Sequence, residues 1–166
     1  MADSLDRGLK RRTLLRLGGC AAVMAATGSI GAVVATQTDL VDRLQGVSDT
    51  KLLAHEVWDY EDGMLTVDLS QVPDLAALNS AMRIEDEAVP EPLLIVHGAD
   101  DDYYIFVNRC PHNQRQVDPV EGKLKCVCPS HSTFDYTGAV LSGPAGAPLG
   151  TYTVAREGDR LQVALA

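Results

Sequence analysis

The stretch KCVCPSHSTFD, residues 125–135, places two cysteines and a histidine within six positions of a chain that has four cysteines and four histidines. A second short cluster, CPH at 110–112, lies upstream, and 15 residues separate it from CPSH at 128–131. Each cluster follows a run of strand type, so we expect two loops at one end of a small sheet to converge on one site. A chance pair of such clusters is improbable. The two loops therefore predict a metal site.

The donor atoms of the two loops indicate which metal fits. A thiolate and an imidazole from each loop give two soft sulfur ligands and two nitrogen ligands. A tetrahedral zinc can also use two Cys and two His, but structural zinc loops usually pair like with like, as C-x2-C and H-x3-H. The mixed C-x-H and C-x2-H spacing fits better with a two-iron cluster, in which two thiolates hold one iron and two imidazoles hold the other. We expect an iron-sulfur centre, with a structural zinc module as the alternative.

The rest of the chain after Trp58 consists of short runs of strand type. Asp-Gly, Glu-Gly, Thr-Gly and Gly-Asp turns separate them, which is typical of an antiparallel all-β domain. Residues 72–82 interrupt the pattern with a possible helical turn. The predicted strands are MLTVDL (64–69), LLIVH (93–97), YYIFVN (103–108), KLKCV (123–127), AVL (139–141), TYTVA (151–155) and RLQVAL (160–165).

The two loops, with HSTFD, the Thr137-Gly138 turn and Gly143-Pro144-Ala145 downstream, resemble the Rieske [2Fe-2S] family over about residues 60–166. The resemblance implies one [2Fe-2S] cluster per subunit, covered by a proline loop that contains Pro144. The implied ligands are Cys110 and Cys128 for the inner iron, and His112 and His131 for the outer, solvent-facing iron.

The same resemblance implies the architecture. Rieske domains are stacks of antiparallel sheets in which a small cluster-binding subdomain, here about 106–147, lies on a larger base. We therefore expect an all-β, Rieske-like antiparallel β-sandwich over residues 60–166, preceded by one N-terminal apolar helix. Residues 1–35 are assigned to an export signal or membrane anchor, and residues 36–59 to a linker with a short helix.

Several positions depart from the family pattern. Respiratory members usually join their two loops by a disulfide, but Arg115 and Ser130 occupy the two corresponding positions, so that disulfide cannot form. The second loop is one residue shorter after the histidine, which leaves open whether Ser132 or Thr133 bonds a bridging sulfide. Phe134 replaces a tyrosine of high-potential relatives. Fewer hydrogen-bond donors to sulfur predict a reduction potential in the lower half of the Rieske range, although a nearby Arg115 would raise it.

Two further positions leave alternatives open. Asn113 stands where the family commonly has an apolar residue that shields the cluster, and docking to a quinol pocket would favour the apolar residue. Measured back from Phe134, neither Cys128 nor Cys126 falls at the usual distance for the fourth ligand. Cys128 is preferred for its Cys-Pro pair and C-x2-H spacing. Cys126 is the alternative, and is otherwise a small buried core residue that alternates with Leu124.

The N-terminus has the layout of an export signal. Five basic residues precede a charge-free run from Leu17 to Ala35, and KRRTLLR (10–16) resembles the twin-arginine signal. The run is just long enough, at roughly 28 Å as a helix, to cross a bilayer core. We expect it to be retained as a membrane anchor because no A-x-A triplet ends it, with cleavage after residues 33–35 as the alternative. A cluster assembled in the cytoplasm requires folding before export, which this route provides, so we expect the domain on the periplasmic or extracytoplasmic side of the cell membrane.

The charge balance argues against some classes of binding partner. Without residues 1–35 the chain has nine basic and 21 acidic residues, a net charge of −12. This argues against nucleic acid and anionic membrane surfaces as partners, and is compatible with docking to a basic protein. The sequence contains no Ser-His-Asp set, nucleotide loop or paired carboxylates that indicate catalysis by the chain alone.

These observations predict an electron-transfer subunit that is not catalytic by itself. We expect the exported, membrane-anchored iron-sulfur subunit of an oxidoreductase complex that oxidises quinol, with cytochrome b or c type partners. One alternative is the small subunit of a periplasmic molybdenum enzyme such as arsenite oxidase. Others are a Rieske ferredoxin that serves an oxygenase and the structural zinc module.

Overall fold

A computed structural model describes residues 48–165, which lie in one compact unit of the chain. This part contains no α-helix, only 3₁₀ turns at His55–Val57, Leu69–Gln71 and Pro73–Leu75. The strands are β1 (Trp58–Glu61), β2 (Met64–Asp68), β3 (Ala81–Ile84), β4 (Leu93–His97), β5 (Tyr103–Val107), β6 (Val117–Val120), β7 (Lys123–Cys126), β8 (Thr133–Phe134), β9 (Val140–Ser142), β10 (Thr151–Tyr152), β11 (Val154–Glu157) and β12 (Arg160–Ala164). The all-β prediction is confirmed. The predicted export signal, its apolar helix and the start of the predicted linker lie outside the described residues.

The strands form three antiparallel sheets of four strands each. Their orders are β1-β2-β12-β11, β10-β5-β4-β3 and β6-β7-β8-β9. The predicted strand 151–155 is two strands, because β10 pairs with β5 in the second sheet and β11 pairs with β12 in the first. The chain therefore changes sheets at Thr153. In residues 48–165, no helix is long and apolar enough to span a membrane.

The second sheet lies at the centre of the core because both of its faces are covered. Every residue of β4 is buried, which explains its uninterrupted apolar run. Leu93 and Ile95 pack into a core with the first sheet, whereas Leu94 and Val96 pack into a second core with the third sheet. This second core also contains Cys110 and the other buried cysteines. The third sheet and its loops are thus held on one face of the central sheet.

Four strands were missing from the prediction: β1, β3, β6 and β8. The proline in β6, Pro119, argues against a central strand because it cannot donate a ladder hydrogen bond. The structure places β6 at the edge of its sheet, where that loss is tolerated. The predicted helical turn in 72–82 ends earlier than expected, since only Pro73–Leu75 is a 3₁₀ turn there and Ala81–Ile84 pairs with β4.

Candidate metal centre

The first loop, residues 108–116, connects β5 to β6 and is closed by its own backbone. The Cys110 N–H donates to Arg115 O at 2.7 Å, and the Gln114 N–H donates to Cys110 O at 2.8 Å. The buried side chain of Asn108 fixes the base of the loop, because its Oδ1 accepts the Val117 N–H at 2.8 Å. These bonds place Cys110 in the core and His112 at the exposed tip.

The second loop, residues 127–132, connects β7 to β8. The Cys126 N–H donates to Ser132 O at 2.8 Å, and the His131 N–H donates to Cys128 O at 3.0 Å. His131 has a φ of 47°, a left-handed conformation that few non-glycine residues adopt, so the shortened loop turns tightly at this residue. The Val127 N–H donates to Gln116 O at 3.0 Å and joins the two loops.

Three free thiols lie in or directly beside the two loops. Cys110, Cys126 and Cys128 are each fully buried and share one core cluster. Burial, followed by contact with the Cys128 side chain, raises the pKa of the Cys126 thiol well above its ordinary value.

The pKa of Cys128 is shifted in the opposite direction. Burial opposes its ionisation, but the side chain of Cys126 and the backbone N–H groups of His131, Ser130 and Ser132 all stabilise the thiolate. The pKa of the Cys128 thiol is consequently lowered from its ordinary value. An amide donor also reaches Cys126, whose Sγ accepts the Cys128 N–H at 3.4 Å. The choice between the two cysteines that the sequence left open therefore stays a prediction, with Cys128 preferred.

The two imidazoles lie at the surface, whereas the thiols are buried. His112 and His131 are both exposed, and His131 Nδ1 lies 3.2 Å from Cys126 O. In residues 48–165 no three or more His, Cys, Asp and Glu side chains are arranged to hold a single metal ion. A Rieske-type [2Fe-2S] cluster needs only two protein ligands at each iron, two thiolates on one and two imidazoles on the other. Each of the two loops carries a buried thiol and an exposed imidazole, which provides that donor set, and the residues fit the group.

The predicted proline loop packs against the second loop. The buried hydroxyl of Ser132 accepts the Ala145 N–H at 3.1 Å, and a Cβ added at Gly143 would lie 2.5 Å from Ser132 Cα. Pro144 itself is exposed. The Thr133 hydroxyl instead pairs with Ser142 Oγ at 2.7 Å, across β8 and β9. Of the two hydroxyls that the sequence left open, Ser132 is the fully buried one.

Two residues near the site have roles that the sequence did not indicate. Asn108 orders the first loop. The sequence offered one sign of this role, which is that a polar residue ends a buried strand directly before the loop. Cys126 contacts both loops, since its Sγ lies 3.9 Å from Asn113 Oδ1 and accepts the Cys128 N–H at 3.4 Å. Arg115, predicted to tune the potential, is exposed, and its N–H donates to Asn113 Oδ1 at 3.4 Å.

Comparisons with known proteins agree with this site. The Rieske [2Fe-2S] domain family matches residues 58–153. The plasma membrane Rieske protein of the cyanobacterium Synechocystis PCC 6803 is 29% identical, with 50% of this chain and 84% of that chain covered and a TM-score of 0.44. The complex of oxygenase and ferredoxin in carbazole 1,9a-dioxygenase contains a chain that is 20% identical, with 63% and 94% covered and a TM-score of 0.52. No curated protein matches the chain.

The family match covers more than half of the chain and includes both loops and the proline loop. The solved carbazole dioxygenase chain shares the fold at low sequence identity. A Rieske cluster supplies one-electron redox chemistry, and the protein sets its potential through ligands, hydrogen bonds to sulfur and solvent exposure. This chain belongs to the Rieske [2Fe-2S] domain family, and its domain binds a [2Fe-2S] cluster that transfers electrons to and from redox partners.

Proposed function

We propose that this chain is the exported, membrane-anchored iron-sulfur subunit of an oxidoreductase complex that oxidises quinol, of the cytochrome bc type. Cys110 and Cys128 hold the inner iron, and His112 and His131 hold the outer iron. The observation that carries the proposal is the division of the site into buried thiols and exposed imidazoles. Electrons enter and leave at the histidine edge, because only that edge reaches solvent.

Quinol oxidation releases protons as well as electrons, and a quinol hydroxyl can reach the exposed side chains of His112 and His131. A partner can also contact apolar surface near the second loop, where Leu141 on β9 is 56% exposed and Val140 is 37% exposed. An apolar rim favours contact with a quinone ring or with a membrane-bound partner.

A second candidate is the small subunit of a periplasmic molybdenum enzyme, such as arsenite oxidase. The exposed tip of the first loop favours it, because Asn113, Gln114 and Arg115 follow His112 and all are exposed. A polar tip suits docking to a protein surface better than to an apolar quinol pocket. Here the same histidine edge takes electrons from a catalytic partner.

The export route is tested with the twin arginines. We expect the wild-type chain in the membrane fraction, with its domain cut by protease added outside the cytoplasmic membrane. Arg11→Lys combined with Arg12→Lys should keep the protein protected inside the cell. The matched control is Arg16→Lys, which changes one basic residue outside the pair and should export normally. Normal export of the double variant would contradict a twin-arginine signal.

The partner is tested by purifying the tagged full-length chain from gently solubilised membranes. We expect a co-purifying b-type cytochrome, a Rieske signal in electron paramagnetic resonance, and reduction of the cluster by a quinol analogue. A large molybdopterin subunit in its place would establish the second candidate and contradict the first. Cys110→Ser and Cys128→Ser should each abolish the cluster. Cys20→Ser changes the one cysteine that lies outside the two clusters and should retain the iron-sulfur centre. A zinc-loaded, colourless wild-type protein would contradict both candidates.

A further inference from the structure

Cys126 is a third buried thiol at the site, and the proposed ligand set does not use it. Its side chain is 0% exposed and lies in the same core cluster as Cys110 and Cys128. Its backbone ends β7, where the Cys126 N–H donates to Ser132 O at 2.8 Å. The residue is therefore fixed at the point where the strand passes into the second loop.

The thiol of Cys126 contacts both loops at once. Its Sγ accepts the backbone N–H of Cys128 at 3.4 Å, within the second loop. On the other side its Sγ lies 3.9 Å from Asn113 Oδ1, at the tip of the first loop. Each contact is weak by itself, since sulfur is a poor donor and acceptor. The thiol is nevertheless small and apolar, and it can both donate and accept a weak hydrogen bond. It can therefore fill buried space without leaving a polar partner unpaired.

Other connections between the two loops in residues 48–165 include a contact between the side chains of Cys126 and Cys110. Positions 115 and 130 hold Arg and Ser, so the disulfide that respiratory relatives place there is replaced by other contacts. One backbone bond joins the loops, from the Val127 N–H to Gln116 O at 3.0 Å. This bond lies at the base of the loops, whereas the contact of Cys126 with Asn113 lies towards the tip.

We propose that Cys126 is a positioning residue that holds the two cluster loops together, by bridging the Cys128 amide and the Asn113 side chain. The bridge fixes the separation of the two ligand sulfurs, on Cys110 and Cys128. The inference rests on the proposed assignment of these two cysteines as ligands. Cys126 is a neighbour of the cluster and not one of its ligands.

The test uses the full-length protein with its cluster, purified in detergent. Cys126→Ala removes both contacts and leaves a small void, so the loops should separate and the cluster should be lost to a chelator several-fold faster. Its reduction potential should also differ from that of the wild type. Cys126→Ser retains a donor and an acceptor, and should restore both properties nearly to the wild-type values. Val127→Ala is the matched control, a truncation at the next residue that removes no polar side-chain contact.

A double variant separates the bridge from simple packing. Asn113→Ala should speed cluster loss at least as much as Cys126→Ala, because it also removes the acceptor of the Arg115 N–H. The two changes together should do little more than Asn113→Ala alone, because they share one bridge. Chelator half-life and the potential from a redox titration monitored by paramagnetic resonance are the readouts. Both readouts should change together in Cys126→Ala and in Asn113→Ala.

Three results would overturn the inference. Unchanged chelator half-life and potential in Cys126→Ala would show that the thiol only fills space. A cluster that survives in Cys128→Ser but cannot form in Cys126→Ser would make Cys126 the ligand, while leaving the electron-transfer function intact. A wild-type protein without any [2Fe-2S] signal would contradict the ligand assignment, and with it the bridge.

Discussion

Ser132 shows how one hydroxyl can connect two parts of the site. Its side chain is fully buried, and its Oγ accepts the N–H of Ala145 from the proline loop at 3.1 Å. The sequence left open whether Ser132 or Thr133 bonds a bridging sulfide, because the second loop is one residue shorter than in the family pattern. The strand register separates them, since Thr133 is paired in β8 and directs its hydroxyl to Ser142.

Replacing Ser132 with alanine should loosen the proline loop. The substitution leaves the buried N–H of Ala145 without its acceptor, which costs about 1 to 3 kcal/mol of folding free energy. The measurement is denaturant unfolding of the cluster-loaded protein, followed by the visible absorption of the cluster. Ser130→Ala is the control because Ser130 is exposed in the same loop. Equal stability of the two variants would contradict a role for the buried hydroxyl.

The proline loop, residues 143–145, depends on close backbone approach. Gly143 has a φ of 93°, and an added Cβ would lie 2.5 Å from Ser132 Cα and 3.0 Å from Ser132 N. Both neighbours are backbone atoms, which cannot move aside cheaply. The glycine therefore allows the loop to lie directly against the second cluster loop.

Gly143→Ala should displace this element from the cluster. We expect a loss of about 2 kcal/mol or more, because strain at a left-handed residue adds to a backbone clash. The change should also alter the potential, since it admits water to the cluster. Gly146→Ala is a close control, because a Cβ there meets no atom within 4 Å. Thermal unfolding and a redox titration of both variants are the measurements, and identical behaviour would exclude the close approach.

At the level of elements, the sequence predicted those strands that have a clear local pattern of apolar residues bounded by turns. LLIVH was predicted and is β4, because a fully apolar run bounded by turns has few other solutions in an all-β chain. The edge strand β6 was missed because its proline lowers strand propensity, and only its place in the sheet makes it acceptable. The break at Thr153 arises because β10 pairs with β5, which is far away in sequence, whereas β11 forms a hairpin with β12. No local pattern encodes the pairing of β10 with β5. The same holds for Cys126, whose contact with the first loop is a tertiary one.

Across the whole described molecule, one segment joins the central sheet to the sheet of the cluster loops. Residues 48–53 run along β3, where the Leu53 N–H donates to Arg83 O at 2.8 Å and the Arg83 N–H donates to Lys51 O at 2.9 Å. The start of the segment is bound to Asp118 of β6. The cluster sheet is thus held to the central sheet by this segment as well as by the shared core.

Asp118 is the centre of that connection, and its removal should release the segment. Its carboxylate accepts the Thr50 hydroxyl at 2.6 Å, the Asp49 N–H at 3.1 Å and the Ser48 hydroxyl. Asp118→Ala breaks all three bonds at once, so amide hydrogen exchange in residues 48–51 should speed up markedly while β4 keeps its protection. Hydrogen exchange followed by mass spectrometry measures this peptide by peptide. Glu121→Ala removes an exposed carboxylate from the adjacent turn and should leave the segment protected. If exchange in 48–51 is unchanged in Asp118→Ala, the bonds to Arg83 and the bond from the Ser48 N–H to Gln116 Oε1 are sufficient to hold the segment in place.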